Sequence, residues 1–232
     1  MKTDYFSFNR VLEYFPQLFS RLHITLIISF SALLLGLVVG TLIAVVRIFK
    51  IPVFNQLATL YISFLRGTPV IVQVFLVFYG LPALLSPLFL PFGINLNHAD
   101  PIFFVILTYA LSSSAYLSVM ISASILGVDK GQSEAALTIG MTRLQLFRRI
   151  IAPQAFHIAL PELGNNTVGL LKDTSLAFTV GVVDMVGAIS AIAARTRHSL
   201  EGYVVAAIIY FVLCTALERT FTFIEKKYVV FK

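Results

Sequence analysis

Residues 134–153 read EAALTIGMTRLQLFRRIIAP, from Glu134 to Pro153, and they form a polar island in a chain that is otherwise a succession of apolar runs. The island carries Glu134, Arg143, Arg148 and Arg149. Each unpaired charge costs several kcal/mol in hydrocarbon, so this stretch lies in water and the runs on either side lie in the membrane. Gly131 to Ile139 reads as a short helix. Gly140 suits the left-handed position that ends it, and Thr142 with Gln145 makes a capping box for a second helix running to Pro153. In that second helix Leu144, Phe147, Ile150 and Ile151 line one side, with Arg143 and Arg149 elsewhere. Ala135 and Ala136 keep the first helix slim enough for another protein's groove to close around it, and Glu134 offers a carboxylate to a cation there. On the charges alone, a connector that packs only on its own chain fits equally well.

The rest of the composition supports the membrane setting. Of 232 residues, 58% are hydrophobic and 12% charged, which describes a polytopic membrane protein. Crossing about 30 Å of hydrocarbon takes roughly 20 apolar residues. Runs at 24–46, 102–126 and 203–217 with flanks meet that need. Two more are interrupted: 53–90 around Arg66, Gly67, Thr68, Pro69 and Gln73, and 163–194 around Asn165, Asn166, Lys172, Asp173 and Asp184. Five spans are expected. The first run has no small-residue cleavage site after it and reads as a retained span. Cys214, the single cysteine, reads as a small packing residue, and Met120, Met141 and Met185 as packing residues too.

The net charge of +6 comes from Lys and Arg at the ends of apolar runs, where they act as topology signals and not as a nucleic-acid surface. Arg47 and Lys50, the loop at 127–158, and Arg219, Lys226, Lys227 and Lys232 mark the cytoplasmic ends. The loop near 85–100 has no Lys or Arg and is expected outside, with the N-terminus. Before the first span, Phe8, Val11, Leu12, Phe15, Leu18, Phe19 and Leu22 recur at helical spacing, which predicts an interfacial amphipathic helix bent at Pro16.

Glu134-Ala135-Ala136, Gly140, Ile150 and Pro153 together resemble the EAA signature of permease subunits of ATP-binding-cassette importers, with Ala152 where that family usually has leucine. Arg66-Gly67-Thr68-Pro69 with Gln73, Gly131-Gln132, Pro153-Gln154-Ala155 and Lys172-Asp173-Thr174-Ser175-Leu176 resemble its polar amino acid branch. The resemblance runs from about Leu22 to the last span. It implies an all-α type I importer permease of five spans in a bacterial inner membrane, N-terminus outside and C-terminus cytoplasmic. An N-terminal segment at 1–22, a single permease domain at 23–228 and a tail at 229–232 complete the chain. Glu134, Ala135, Ala136, Gly140, Arg143 and Pro153 would couple it to a cytoplasmic ATP-binding subunit, and ATP and Mg would reside on that subunit, with no cofactor or metal in this chain. A second permease subunit, identical or homologous, an extracytoplasmic solute-binding protein, membrane lipid and a polar amino acid, cystine among them, are the other implied partners. Val119 and Ser122 stand where many relatives carry Glu and Arg, so side-chain preferences do not transfer directly.

Physical reading of the interrupted spans agrees with a transport role. On a helix from Glu162, residues Asn165, Asn166, Gly169 and Asp173 share one narrow face, which belongs in the bundle interior. Asp173 lies about 16 Å along the axis and reaches mid-membrane if Glu162 starts at the cytoplasmic surface. Arg66 is expected at similar depth, where Gly67 and Pro69 break the helix. Broken backbone at that depth belongs beside a cavity or inside protein. Gly67, Thr68, Pro69 and Gln73 with Glu162, Asn165 and Asn166 are therefore expected to border a translocation path. Arg66, Lys172 and Asp173 are expected to form an intramembrane charge network, which on its own account would only fix helix packing.

The chain has no G-x-x-x-x-G-K-[ST] phosphate loop, no H-E-x-x-H pair and no G-x-S-x-G, and its four histidines have no neighbours at ligand spacing. An intramembrane hydrolase built on Ser112, Ser113 and Ser114 would lack a base at the same depth. A stand-alone channel or ion-coupled secondary transporter using Lys172, Asp173 and Asp184 is the competing transport reading, but no repeat relates the two halves of the chain.

Overall fold

A computed structural model describes residues 6–228, so the first five residues of the expected N-terminal segment and the expected tail at 229–232 lie outside the described residues. The chain begins with α1 (Phe8–Phe19), α2 (Leu22–Ile48) and α3 (Phe54–Gly67). A helix from Val70 to Phe92 follows, made of α4 (Val70–Phe75), a π turn at Leu76–Gly80, α5 (Leu81–Phe89) and a 3-10 turn. Then come α6 (Pro101–Leu126), α7 (Lys130–Thr138), α8 (Arg143–Leu146), a second π turn at Phe147–Ile151 and α9 (Ala152–Asp173). A 3-10 segment at Thr174–Val180, α10 (Met185–Thr196) and α11 (Leu200–Tyr228) complete it. Four stretches, Leu22–Ile48, Val70–Phe92, Pro101–Leu126 and Leu200–Lys227, are long and apolar enough to cross a bilayer. Arg143–Val180 with Met185–Thr196, bent by 43° between them, makes the fifth when counted as one span.

Small residues hold the centre together. The face of α2 that turns inward carries Thr25, Ser29, Ala32, Gly36, Gly40 and Ala44, while Leu26, Phe30, Leu34, Val38 and Leu42 are exposed on the other side. Gly36 and Gly40 bring the α2 backbone against α6. A Cβ on Gly36 would stand 3.2 Å from the Ala110 carbonyl oxygen, and one on Gly40 would stand 3.0 Å from the Ser114 carbonyl oxygen and from Leu117 Cβ. Lipid tails are as apolar as Leu, so helices gain little from merely burying apolar surface against one another, and close backbone approach is what makes such a contact favourable. The same device recurs where Gly164 of α9 meets Phe221 of α11.

Several boundaries differ from the sequence reading. In the run at 53–90 the break falls at Gly67 and Pro69 as expected, with Thr68 extended (φ −117, ψ 143) and Pro69 outside the next helix, but only Val70–Phe92 is long and apolar enough to be the span. Asn165, Asn166, Lys172 and Asp173 do not interrupt their helix; the break comes after Gly181 (φ +91), and Asp184 lies in it as the cap of α10. Pro153 does not end the elbow's second helix. The π turn at Phe147–Ile151 takes up the lost donor and the crowding of the Arg149 carbonyl, and the helix runs on into α9. Pro82 follows the other π turn at the same spacing.

The apolar stripe of α1 also divides. Val11, Tyr14 and Leu18 pack on Met185, Ile189, Val205 and Ile209, whereas Phe8, Leu12, Phe15 and Phe19 remain exposed. An ion pair fixes the helix: Arg10 Nη2 lies 2.7 Å from Glu201 Oε1, and the Ser7 amide donates to the same oxygen at 3.0 Å. Cys214 packs with Val168 and Leu171, as expected of a small core residue.

Gly40→Leu should overpack the α2–α6 seam and lower stability by about 1–3 kcal/mol. Thermal unfolding in detergent checks this, with Val38→Leu on the exposed face of α2 leaving the midpoint unchanged.

Candidate functional site

Three walls meet at the middle of the bundle. α6 supplies Tyr109, Ser112, Ser113 and Tyr116; α9 supplies Glu162, Asn165, Asn166 and Asp173; the break after α3 supplies Thr68 and Pro69. They enclose a cavity of about 440 Å³. A second cavity of about 300 Å³ shares Tyr116 and Glu162 with it and adds Arg66, Val119 and Met120. The two form one trough along α6. Ser112 and Ser113 stand half-way along that helix, so the broken backbone at Thr68 and Pro69 lies level with the centre of the span.

Each wall is positioned by identifiable contacts. Ser113 Oγ lies 2.7 Å from Asn166 Oδ1, tying α6 to α9 and leaving Asn165 exposed to the cavity. The Tyr109 hydroxyl donates to the Asp173 carbonyl at 2.6 Å, where α9 tightens into the 3-10 segment. On the other side the Tyr61 hydroxyl reaches the Leu111 carbonyl at 3.0 Å and Ser114 Oγ at 2.7 Å.

Gln73 has a different place from the one expected. It is 3% exposed and does not line either cavity. Its amide nitrogen lies 2.7 Å from the Leu65 carbonyl oxygen, 3.0 Å from that of Thr68 and 3.0 Å from Thr68 Oγ1. It therefore gives hydrogen-bond partners to carbonyls that the helix break has left without them. Gly67 is exposed and is not among the lining residues of these cavities.

Among the described residues, no ion pair joins Arg66, Lys172 and Asp173. The guanidinium of Arg66 lies 5.1 Å from the centre of the Tyr116 ring, Asp173 borders the larger cavity, and Lys172 is exposed outside both. The depth expected for Asp173 also changes. Because the helix starts before Ala152, Glu162 is already well inside the span; Asn166 marks its middle and Asp173 faces Tyr109 beyond it. The trough thus offers amides, hydroxyls, two carboxylates and one guanidinium on an otherwise apolar lining, a set able to hold both a cationic and an anionic group of a small solute.

The turn and the second cap of the elbow form as its sequence indicates. Gly140 has φ +81, and Thr142 and Gln145 form the reciprocal capping box at 2.9 and 3.3 Å. Asp129, which the sequence reading passed over, caps the first elbow helix through the Gly131 amide at 2.7 Å. Glu134, Ala135, Arg143 and Pro153 are exposed, but Ala136 is 4% exposed and packs inward. Leu137, Ile139, Leu144 and Phe147 are the large apolar side chains that this elbow leaves uncovered.

Residues 32–230 match the family described as the binding-protein-dependent transport system inner membrane component. The chain belongs to that family. Among its relatives, the L-cystine transport system permease protein TcyL of Bacillus subtilis (strain 168) is 44% identical over 222 residues, covering 96% of this chain and 91% of that protein. The probable amino-acid ABC transporter permease protein PatM of Vibrio harveyi is 38% identical, covering 96% of each. A crystal structure described as an amino acid ABC transporter with histidines superposes with a TM-score of 0.82 at 32% identity, covering 96% of this chain and 99% of that one. The MetNI methionine ABC transporter, at 15% identity and a TM-score of 0.69, shares the fold. This chain is therefore a multi-pass permease component of a binding-protein-dependent transport system, and the reading as a stand-alone channel or ion-coupled transporter gives way.

In this permease, Gln73→Leu should leave the Leu65 and Thr68 carbonyls without their partner and lower stability by about 1–3 kcal/mol. A denaturation midpoint measures the loss, and the solute preference of the protein that remains folded should not change.

Proposed function

We propose that this permease carries polar amino acids, with cystine as a leading candidate, into the cytoplasm by alternating access, powered by a separate ATPase. The observation that carries this reading is the trough at mid-span, where a broken helix faces Asn165 and Asn166 on one side and Tyr109 to Tyr116 on the other. An amino acid brings an ammonium and a carboxylate in every case. Glu162 and Asp173 suit the first, while Arg66 and amide and hydroxyl donors suit the second. TcyL and PatM are named for L-cystine and amino-acid transport, which favours the same class of solute.

In this reading Thr68, Pro69, Glu162, Asn165 and Asn166 border the path, with Gly67 and Gln73 shaping the break. The capped elbow carries Glu134, Ala135, Gly140 and Arg143 to the ATP-binding subunit, where ATP and Mg reside, and Ala136 and Pro153 set its form. A solute-binding protein delivers from outside, and a second permease chain completes the path. The basic residues at the elbow and at the end of α11 favour a cytoplasmic position for those ends, with the N-terminus outside.

Purification in mild detergent from the native host, followed by mass spectrometry, tests the assembly. The wild-type chain should bring a nucleotide-binding subunit with it, and Glu134→Lys should reduce its recovery roughly tenfold or more by reversing a charge at the contact. A stable wild-type chain with no ATPase overturns the proposal. For the path, Asn165→Ala should change the ratio of uptake between amino acids by about threefold to tenfold, as loss of one hydrogen bond implies, with assembly intact. Loss of assembled protein with an unchanged ratio removes Asn165 from the path.

A further inference from the structure

Away from the trough, the ends of α2, α3 and α6 enclose a cavity of about 220 Å³ bordered by Arg47, Lys50, Asn55, Thr59, Ser122 and Leu126. Its donors can be counted. The hydroxyls of Thr59 and Ser122 donate to the Asn55 and Ser118 carbonyls at 2.8 and 2.7 Å, which leaves Arg47, Lys50 and Asn55. Arg47 Nη1 is buried with no hydrogen-bond partner. A buried guanidinium nitrogen without an acceptor is costly, and the elements that line the cavity carry no acidic residue: the sequence has none between Glu13 and Asp100, nor along α6. Among the described residues neither Arg47 nor Lys50 takes part in an ion pair.

The connector over this cavity is held in a demanding conformation. Lys50 has φ 49 and Val53, a β-branched residue, has φ 66. The same connector and the first turn of α3 expose Phe49, Val53, Phe54 and Leu57, each more than half exposed. A basic cavity with an apolar rim, at the end of a membrane span, has the polarity pattern of an amphiphile.

We infer that this cavity binds the phosphate group of an anionic phospholipid, with its acyl chains lying on Phe49, Val53, Phe54 and Leu57. Arg47 and Lys50 supply the charge and the Asn55 amide a further donor. Basic residues serving only as topology signals would attract such lipids as a diffuse layer. A cavity lined by Arg47, Lys50 and Asn55 instead gives one site per chain. The bound lipid would tie the α2–α3 connector to α6, and α3 ends at the broken backbone of the trough.

Native mass spectrometry of the complex as purified, given equal amounts of phosphatidylglycerol and phosphatidylcholine, tests this. The wild type should retain one phosphatidylglycerol per permease chain in preference to phosphatidylcholine. Binding should weaken about fivefold in Lys50→Gln and about thirtyfold in Arg47→Gln/Lys50→Gln, and Lys227→Gln should behave as wild type. Equal retention of the two lipids, or variants indistinguishable from wild type, overturns the inference. Displacement of phosphatidylglycerol by inorganic phosphate alone assigns the cavity to a free anion and overturns the lipid. Lys50 is exposed, so its single variant decides the matter if the double variant does not fold.

Discussion

The rest of the structure depends on the close approach of α2 and α6. In lipid the helices have little to gain from burying Leu against Leu, so the permanent part of the bundle is built where backbones can touch. Gly36 and Gly40 make that possible on one side, and Ala110, Ser113 and Ser114 on the other. The consequence is that α6 is fixed along its length, with Ser114 and Ser118 buried in the seam. Its remaining faces are then free to serve as the wall for less regular neighbours. Both α3, with its broken end, and α9, with its polar face, stand against this one helix.

The second constraint is backbone satisfaction. A helix that stops at mid-span leaves carbonyls with no water to turn to, and the chain answers with side chains brought from the next turn of sequence. Gln73 folds back on Leu65 and Thr68. Thr68 Oγ1 also donates to the Phe64 carbonyl at 2.9 Å. The break is in this way made rigid on the protein side while Thr68 and Pro69 still face the cavity. A mobile gap would serve solute recognition less well than this braced edge, since binding would first have to order it.

Much of this was legible in the sequence, and unevenly. Charge and hydropathy located the uninterrupted spans 24–46 and 102–126 to within two residues, because crossing hydrocarbon tolerates so few alternatives, whereas the interrupted runs at 53–90 and 163–194 and the last span were misplaced at one or both ends by ten residues or more. The elbow's Gly140 and its Thr142–Gln145 box were legible because caps are local chemistry. The polar face of α9 followed from helical periodicity alone. What escaped depended on contacts between distant residues. Gln73 lies close to Thr68 and Pro69 in sequence, which places it on the path, yet its amide points back into the break. The inward turn of Ala136 and the split stripe of α1 needed the positions of α8, α10 and α11. Gly36 and Gly40 form a GxxxG in an apolar run, the sequence signal of the α2–α6 seam. Pro153 misled because a proline inside a helix usually marks its end, and a π turn is the less common remedy.

That remedy has a mechanical consequence. From Arg143 to Asn165 the chain is helical throughout, a distance of about 33 Å at 1.5 Å per residue, so the elbow and the trough lie on one continuous rod. The α8 end is capped and therefore resists fraying, and Asn166 is bonded to α6. The regular ladder is interrupted at two places between them, the π turn at Phe147–Ile151 with Pro153 and Pro161 within α9, where a donor is missing. A displacement of the elbow smaller than that turn can absorb stays local. A larger one must carry α9 with it, and because Asn166 is held by Ser113, it must either break that bond or rotate the wall of the cavity about it. One hydrogen bond is worth about 1 kcal/mol net, so this contact adds only a small barrier to such a motion.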